Sequence, residues 1–248
     1  MSIHIFHYFD EVYCINLDSR PDRWSSVLRE FKKIWIEWLV KRFPAISTPQ
    51  NGHLWCMLSH RAIVAEAASK KWKNVLVFED DVIIVDPKKF IEQIADLLKV
   101  KKYDIAYFWG LFIHPKADLS ICGDNYFRIK YIYGAHAIVY TSTIYDIFLK
   151  LIHDKSILEE KYITFDAILA KKIQPYFTCI MPKNLFLWQK KDFSNTEKHK
   201  KWSIFLMLNR IGFFTAQYKT FHFIHFIFFT VMSRIYRLFV ILKNLFFC

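Results

Sequence analysis

Glycine is scarce in this chain of 248 residues, which contains five glycines although 19% of its residues are aromatic. Successive glycines are never closer than eleven positions. The sequence therefore contains neither the dinucleotide-binding pattern GxGxxG nor the phosphate-binding pattern GxxxxGK[ST], because both need closely spaced glycines. If the chain binds a nucleotide, arginine side chains or a metal ion must hold the phosphates.

Closely spaced cysteines are also missing, since the five cysteines lie at positions 14, 56, 122, 179 and 248 and form no CxxC pair. This spacing predicts reduced thiols and argues against both a disulfide framework and a zinc site. The first residues lack Lys and Arg before their apolar stretch, which is interrupted by Asp10 and Glu11. We therefore expect no signal peptide and a cytoplasmic protein.

The composition, 54% hydrophobic and 23% charged, is typical of a globular protein and excludes a disordered chain. Basic residues outnumber acidic ones, 35 against 23, which gives a net charge of +12. Such a charge favours polyanions, anionic lipid headgroups or phosphorylated substrates as partners. Charge alone does not choose among them.

The hydrophobic pattern alternates between strands and helices along the first half of the chain. Apolar β-branched runs predict buried strands, and apolar positions three and four residues apart predict amphipathic helices. The pattern therefore predicts an α/β domain with a mostly parallel central sheet, followed by a mixed second half. In chain order, the predicted elements are a strand at 11–17, a helix at 24–40, a short extended piece at 40–46, a helix at 53–71, a strand at 74–78, a helix at 87–100, strands at 104–110, 126–131 and 135–141, helices at 142–153 and 165–173 and a strand at 176–181.

Residues 203–248 differ from the rest of the chain, because they contain no acidic residue, five basic residues and eleven of the 25 phenylalanines. Their longest uncharged run, 220–233, is shorter than the about 20 apolar residues of a spanning helix. The pattern predicts a basic, aromatic, amphipathic helical tail on an anionic membrane surface, with a helical pair packed on the core as the alternative. We therefore divide the chain into a domain at 1–202 and a tail at 203–248.

Three carboxylates, Glu79, Asp80 and Asp81, directly follow the clearest predicted strand. In open parallel sheets, ligands bind beyond the carboxyl ends of the strands. Residues one apart on an extended chain point to opposite sides, so Glu79 and Asp81 are expected to face the same side. Their oxygens suit Mg²⁺ or Mn²⁺, and a solvated turn is the alternative.

The turn after the first strand contains Arg20 and Arg23. Guanidinium groups at a junction between a strand and a helix are suited to binding phosphate. A solvated turn followed by a helix cap is the alternative interpretation.

Several ordered segments carry a resemblance to glycosyltransferase family 25, which includes lipooligosaccharide and collagen galactosyltransferases. The segments are VYCINLDSRPDR at 12–23, GHLWCMLSH at 52–60, VLVFEDDV at 75–82, YGAHA at 133–137, FDAIL at 165–169 and the stretch 189–196. The resemblance covers residues 11 to about 196. It implies a GT-A-like (Rossmann-like) fold and the inverting transfer of a hexose, with galactose favoured, from a UDP-sugar to a hydroxyl of a glycan acceptor.

The resemblance also implies roles for individual residues, with Mn²⁺ as the cofactor and Mg²⁺ as a possible substitute. Asp81 is the first choice as metal ligand, together with Glu79, and Asp166 is the candidate base that deprotonates the acceptor. A helix cap is the alternative role of Asp166, and a buried structural histidine is the alternative for His136, which is expected to line the acceptor side. The residues expected to bind the nucleotide sugar are Asn16, Leu17, Arg20, Arg23, Ser59, Glu79, Asp80 and His136.

Two positions depart from the pattern of the family. Asn195 stands where members commonly have Asp, which would weaken a metal site that used that Asp, and Ala135 replaces a threonine. The expected function is synthesis of lipooligosaccharide, lipopolysaccharide or another surface glycan at the cytoplasmic face of a membrane. The expected partners are a UDP-sugar, a glycan or lipid-linked glycan acceptor and an anionic membrane surface.

Two alternatives to this function remain at the level of the sequence. The first is a catalytically degenerate protein that still binds a UDP-sugar. The second, a nucleic-acid-binding protein or nuclease, is disfavoured because part of the positive charge lies in the aromatic tail and because no basic-aromatic sheet motif is present.

Overall fold

The computed structural model describes residues 3–46, 52–110, 116–152 and 164–190. The tail at 203–248, the domain boundary after residue 202 and Asn195 lie outside these residues, so the corresponding expectations stay predictions. Within the described ranges, no helix is both long enough and apolar enough to span a bilayer.

The described strands are β1 Glu11–Asn16, β2 Lys41–Pro44, β3 Asn74–Glu79, β4 Val82–Ile84, β5 Ile105–Tyr107, β6 Asp118–Cys122, β7 Tyr126–Lys130, β8 Ala137–Thr141, β9 Cys179–Pro182 and β10 Leu187–Gln189. Eight of them form one sheet in the order β2–β1–β3–β8–β5–β9–β7–β6. Strand β1 is parallel to β2 and β3, and β5 is parallel to β9. Strands β8 and β7 are antiparallel to both of their neighbours, so the other six strands share one direction. The predicted α/β class with a mostly parallel central sheet is confirmed.

The described helices are a 3₁₀ helix Ile3–Tyr8, α1 Pro21–Lys32, α2 Gly52–Ser69, α3 Pro87–Leu97, α4 Tyr145–Leu151 and α5 Phe165–Ile168, which a π turn, Leu169–Ile173, extends. Helices cover both faces of the sheet. Helices α1 and α3 pack with side chains such as Val12 and Leu76 in one hydrophobic core. On the other face, Tyr140 of β8 contacts His60 of α2 and Phe148 of α4.

Strand β3 lies in the middle of this arrangement. The side chains of Val75, Leu76, Val77 and Phe78 are all 0% exposed. A strand that is covered on both faces needs such an uninterrupted apolar run, because its alternate side chains enter two different cores. The sequence run at 74–78 therefore fixes the strand whose end carries the three carboxylates.

The helix predicted at 24–40 is too long, because α1 ends at Lys32. Trp35 has a positive φ of 61°, which a continuing α-helix does not allow. The chain then turns back, so that Ile34 and Ile36 are buried while Trp35 and Trp38 are 64% and 61% exposed. The apolar spacing beyond residue 32 therefore comes from turns and not from a helical face.

Three short strands were not predicted. Strand β6 pairs with β7 at one edge of the large sheet, and β4 pairs with β10 in a separate two-stranded sheet. A strand of three to five residues is too short for its alternation to be distinguished from a loop. The pairing of β4 with β10 places Gln189 opposite Val82, directly beside the carboxylates after β3.

Candidate functional site

The ends of three strands bring the candidate site together. Strands β1 and β3 are parallel, so their last residues, Asn16 and Glu79, lie at the same edge of the sheet. Strand β8 is antiparallel to β3 and pairs Ala137 with Phe78, which places His136 beside Glu79. The Glu79 N–H donates to the carbonyl oxygen of His136 at 2.9 Å. The loop at 133–136 thus enters the site defined by the carboxylates.

Glu79, Asp81 and His136 form the first cluster of this site. The His136 Nδ1 atom lies 2.7 Å from Glu79 Oε2 and 3.0 Å from Asp81 Oδ1. The three side chains are between 11% and 19% exposed. Gln189 donates a hydrogen bond of 3.0 Å to Asp81 Oδ2, and the Lys190 N–H donates to the Asp81 carbonyl. Asp81 is therefore oriented from both its side chain and its backbone.

The charges in this cluster depend on one another. Burial opposes a positive charge on His136, but the carboxylates of Asp81 and Glu79 outweigh it and hold the pKa of His136 well above its usual range. Burial would also raise the pKa of Glu79, but His136 holds that pKa well below its usual range. Without a metal ion, a protonated His136 therefore balances part of the negative charge.

The donor atoms of this cluster fit a divalent cation. Asp81 Oδ1 and His136 Nδ1 are both buried and lie 3.0 Å apart. Within the part of the chain that the structure describes, neither atom has a well-aligned hydrogen bond. Two carboxylate oxygens and one imidazole nitrogen lie within 4.8 Å of one another. Carboxylate oxygens suit Mg²⁺ and Mn²⁺, whereas imidazole favours transition metals, so the mixed set fits Mn²⁺ better than Mg²⁺.

Asp80 faces the opposite side of the chain, as the alternation along a strand predicts. Its Oδ2 accepts a hydrogen bond of 2.6 Å from Asn16 Nδ2, and its Oδ1 lies 3.0 Å from Arg23 Nη1. Burial raises the pKa of Asp80 even though Asn16 and Arg23 both oppose the rise. Asp80 therefore joins the end of β3 to the end of β1 and to α1, separate from the Glu79–Asp81–His136 cluster.

The turn after β1 contains two more predicted residues, Leu17 and Arg20. Asn16 also donates a hydrogen bond of 3.0 Å to the Arg20 carbonyl, and Arg20 N–H donates to the Leu17 carbonyl at 2.9 Å. The guanidinium of Arg20 forms two bonds with Asp22, and this pair lowers the pKa of Asp22 to about 2. The structure thus brings Asn16 and Arg23 to the carboxylates, while Arg20 binds the neighbouring Asp22.

Ser59 lies inside helix α2 and is completely buried. Its hydroxyl donates to the Trp55 carbonyl at 2.7 Å and accepts from the Ile46 N–H at 2.9 Å. These bonds join α2 to the segment after β2. Their effect is structural, and the predicted contact of Ser59 with a nucleotide sugar stays a prediction.

Asp166 lies in the first turn of α5, where Thr164 is the N-cap. The Asp166 carboxylate accepts hydrogen bonds from the Ala167 N–H, at 2.9 Å, and from the Thr164 hydroxyl. Burial, and after it the charge of Asp166, raises the pKa of Tyr133. Asp166 is therefore held at a helix N-terminus near the loop that carries His136, and Thr164 takes the capping position.

Comparisons with known proteins bear on this site. No family model matches the chain. One curated mouse protein, named inactive glycosyltransferase 25 family member 3, is 25% identical over 143 residues. The alignment covers 46% of this chain and 24% of that protein, so the chain spans about a quarter of its relative. The chain resembles a glycosyltransferase.

Two solved structures are also similar. The first is a glycosyltransferase involved in the glycosylation of the major capsid of PBCV-1, with a TM-score of 0.47, 11% identity, and coverage of 69% of this chain and 79% of that chain. The second is mannose-1-phosphate geranyltransferase from Thermus thermophilus, with a TM-score of 0.46, 11% identity, and coverage of 69% and 72%. At these scores, neither likeness assigns an activity or a substrate.

The structure adds three residues that the sequence alone did not assign to the site. Gln189 binds Asp81, and Arg42 of β2 donates to Asn16 at 2.8 Å and to Asp18 at 2.7 Å. Cys56 lies 3.0 Å from Glu79. Gln189 lies in the stretch 189–196 that is part of the resemblance, but no local pattern assigned a contact to it or to Arg42, since both contacts depend on strand pairing across the chain. Cys56 had a local signal in the sequence, because it lies four residues before His60.

Replacing His136 with Asn is expected to destabilise the metal-free protein in a pH-dependent way. The interaction that raises the pKa of His136 stabilises the fold fully at pH values below 6.5, the ordinary pKa of histidine. This stabilisation is lost as the pH rises through the higher pKa of the folded state. The interaction that lowers the pKa of Glu79 stabilises the fold at pH values above 4.5, the ordinary pKa of glutamate. Between these two values, breaking the buried pair should cost about 3 kcal/mol.

Thermal unfolding in EDTA, at a pH between these values and at an alkaline pH, measures this effect. The difference between His136→Asn and the wild type should shrink as the pH rises. The matched control is His7→Asn, because His7 is exposed and lies in the 3₁₀ helix outside the site. An equal loss of stability at both pH values would show that His136 acts by packing and not by its charge.

Proposed function

We propose that the chain is a metal-dependent inverting glycosyltransferase that moves a hexose, with galactose favoured, from a UDP-sugar to a hydroxyl of a glycan acceptor. The observation that carries the proposal is the Glu79–Asp81–His136 cluster at the carboxyl end of β3, together with Asn16 at the end of β1 and Arg23 in the first turn of α1, which both bind Asp80. The resemblance to a family 25 glycosyltransferase supports the same reaction class.

In this proposal, Asp81, Glu79 and His136 hold the divalent cation, Mn²⁺ by preference. A bound cation would neutralise the negative charge that develops on the leaving diphosphate. Gln189 fixes the orientation of Asp81, as an outer hydrogen bond to a ligating carboxylate does in other metal sites. Arg23 pairs with Asp80 on the other side of the chain from this cluster, and the proposal assigns it the donor phosphates that extend toward the end of β1.

His136 has a second effect on this site. A ligating histidine must be neutral, so His136 would have to lose the proton that the two carboxylates retain on it in order to hold a cation. Binding of Mn²⁺ should therefore release a proton and weaken as the pH falls. The same histidine serves as a counter-charge before the cation arrives.

Asp166 is the proposed base. An inverting transfer needs a carboxylate that takes the proton from the attacking hydroxyl. The hydrogen bonds from Ala167 and Thr164 orient the Asp166 side chain. Asp166 also raises the pKa of Tyr133, where burial is the larger cause, and that of Cys56, where burial and Glu79 are the larger causes.

A second candidate function is UDP-sugar binding without turnover. It is favoured by His136, whose charge can replace that of a metal ion between Glu79 and Asp81. The curated relative is itself named inactive, which supports this candidate. In this case, the phosphates would be held by arginine and histidine side chains alone.

One experiment separates the two candidates. The wild-type protein is incubated with UDP-galactose, UDP-glucose or UDP-N-acetylglucosamine, in Mn²⁺ or in EDTA, and the release of UDP is measured. Release that depends on Mn²⁺ supports the enzyme. UDP affinity by calorimetry, without release from any donor, supports the binding protein, and the absence of both contradicts the two proposals together.

The proposed membrane association concerns residues 203–248, outside the described ranges. We propose that this tail brings the domain to an anionic membrane surface, where a lipid-linked acceptor would be found. Flotation with anionic liposomes, using the full chain and a chain that ends at residue 202, tests the tail. Equal flotation of both chains would contradict its role.

A further inference from the structure

A second set of metal-ligating atoms lies on the other side of Glu79. The Cys56 Sγ atom is 3.0 Å from Glu79 Oε1, and His60 Nε2 is 3.8 Å from the same oxygen. The other oxygen, Glu79 Oε2, faces His136 instead. The two carboxylate oxygens of Glu79 therefore contact two different groups of side chains.

Helix α2 presents two of these ligands together. Cys56 and His60 are four residues apart, so they lie one turn apart on the same face of the helix. Two ligands at this spacing on one helix are a known way to hold zinc. The packing of α2 on the sheet then brings Glu79 as a third ligand, and the three donor atoms lie within 4.8 Å of one another.

His60 supplies an independent indication of a ligand. Its side chain is 0% exposed, and Nε2 has no hydrogen-bond partner among the residues that the structure describes. Its Nδ1 atom is 3.0 Å from the Tyr140 hydroxyl, and its ring packs against Phe165 with a centroid distance of 4.6 Å. If Nδ1–H donates to Tyr140, the lone pair of Nε2 faces Cys56 and Glu79. An outer hydrogen bond of this kind fixes ligating histidines in metal sites.

We propose that Cys56, His60 and Glu79 bind a thiophilic divalent cation such as Zn²⁺, at a site distinct from the Asp81–His136 side of Glu79. One thiolate and one carboxylate neutralise the charge of the cation, and the imidazole adds a neutral nitrogen ligand. Binding breaks the S–H bond of Cys56, and the proton passes to the solvent. Three protein ligands leave the fourth position of a tetrahedral zinc ion open.

The ion can reach this site, since Cys56 and Glu79 are both partly exposed. The proposal does not depend on glycosyl transfer, because none of its evidence involves a donor or an acceptor. It also departs from the expectation that cysteine spacing alone gives. A CxxC pattern is absent, but a cysteine and a histidine from a helix and a glutamate from a strand replace it.

Titration with Co²⁺ tests the site on the full chain, because a Co²⁺–thiolate bond gives a charge-transfer band in the near ultraviolet. We expect this band in the wild type, in Cys122→Ser and in Asp81→Asn, and its loss in Cys56→Ser. Zn²⁺ should abolish the band by competition. Cys122→Ser is the matched control, since Cys122 is a partly exposed free cysteine on β6. No band in the wild type, or an unchanged band in Cys56→Ser, overturns the proposal.

A second measurement needs no substitution. Zn²⁺ should slow the alkylation of Cys56 by iodoacetamide at least tenfold and leave Cys122 unchanged, as determined by peptide mass spectrometry. Equal rates at Cys56 with and without Zn²⁺ overturn the proposal.

In the Co²⁺ titration, loss of the band in Asp81→Asn would overturn the distinction between the two clusters and show that they form one site. Failure of UDP release with an intact Co²⁺ band would concern the glycosyltransferase proposal alone.

Discussion

Replacing Asp81 with Ala is expected to lower Mn²⁺-dependent release of UDP from the donor by at least about 100-fold. A bound cation contributes several kcal/mol of charge stabilisation in the transition state, and each 1.36 kcal/mol is about a factor of ten in rate. Asp81 supplies one of the two carboxylates of the cluster, and Gln189 and Lys190 hold it in place. Release of UDP, and Mn²⁺ affinity by calorimetry, should fall together.

Two further variants make this test specific. Asp81→Asn keeps the shape of the side chain and an oxygen that can accept from Gln189, so its loss of Mn²⁺ affinity would reflect the charge and not misfolding. Asp124→Ala is the matched control, because Asp124 is an exposed aspartate in the turn between β6 and β7. Circular dichroism checks that each variant folds. Full Mn²⁺-dependent activity in Asp81→Asn would remove Asp81 from the metal site.

Replacing Gly134 with Ala is expected to destabilise the protein by about 3 kcal/mol. Gly134 has a φ of 146°, and a Cβ atom there would lie 2.8 Å from the Trp109 carbonyl oxygen and 2.9 Å from the Trp109 ring. Both the backbone conformation and the contact thus exclude a side chain. Trp109 packs edge-on against His136 at a centroid distance of 4.7 Å, so a shift of this loop also moves the histidine of the cluster.

Gly123 provides the matched control for this prediction. It has a positive φ of 71°, but a Cβ atom there meets nothing within 4 Å. Gly123→Ala should therefore cost only the conformational strain, about 1 kcal/mol. Urea denaturation of both variants gives the two free energies of unfolding. Equal losses would mean that the close approach to Trp109 does not restrict position 134.

The sequence by itself predicted much of the fold and the centre of the candidate site. The apolar run at 74–78 predicted a strand buried on both faces, and β3 is such a strand. The alternation of side chains after this strand predicted that Glu79 and Asp81 share one side and that Asp80 faces the other, which the structure confirms. These features depend on local pattern and on the period of an extended chain, so a single sequence contains them.

Other features depend on tertiary contacts. Helix α1 ends at Lys32, although the apolar spacing continues, because the chain turns to bury Ile34 and Ile36. Gln189 reaches Asp81 only through the pairing of β10 with β4. Neither feature has a local signal, because burial and strand pairing join residues that are far apart in the sequence.

The way in which the chain could bind phosphates without glycine-rich loops also depends partly on the sequence and partly on the tertiary structure. The sequence alone excluded glycine-rich phosphate loops. It also placed arginines and carboxylates, which would take the role of such loops, directly after the predicted strands. Only the tertiary structure showed which of these side chains meet: Asn16 and Arg23 bind Asp80, whereas Arg20 binds Asp22. It also placed His136 on one side of Glu79 and Cys56 with His60 on the other. The order of residues fixes the chemical groups that are present, but strand pairing and helix packing set the distances between them.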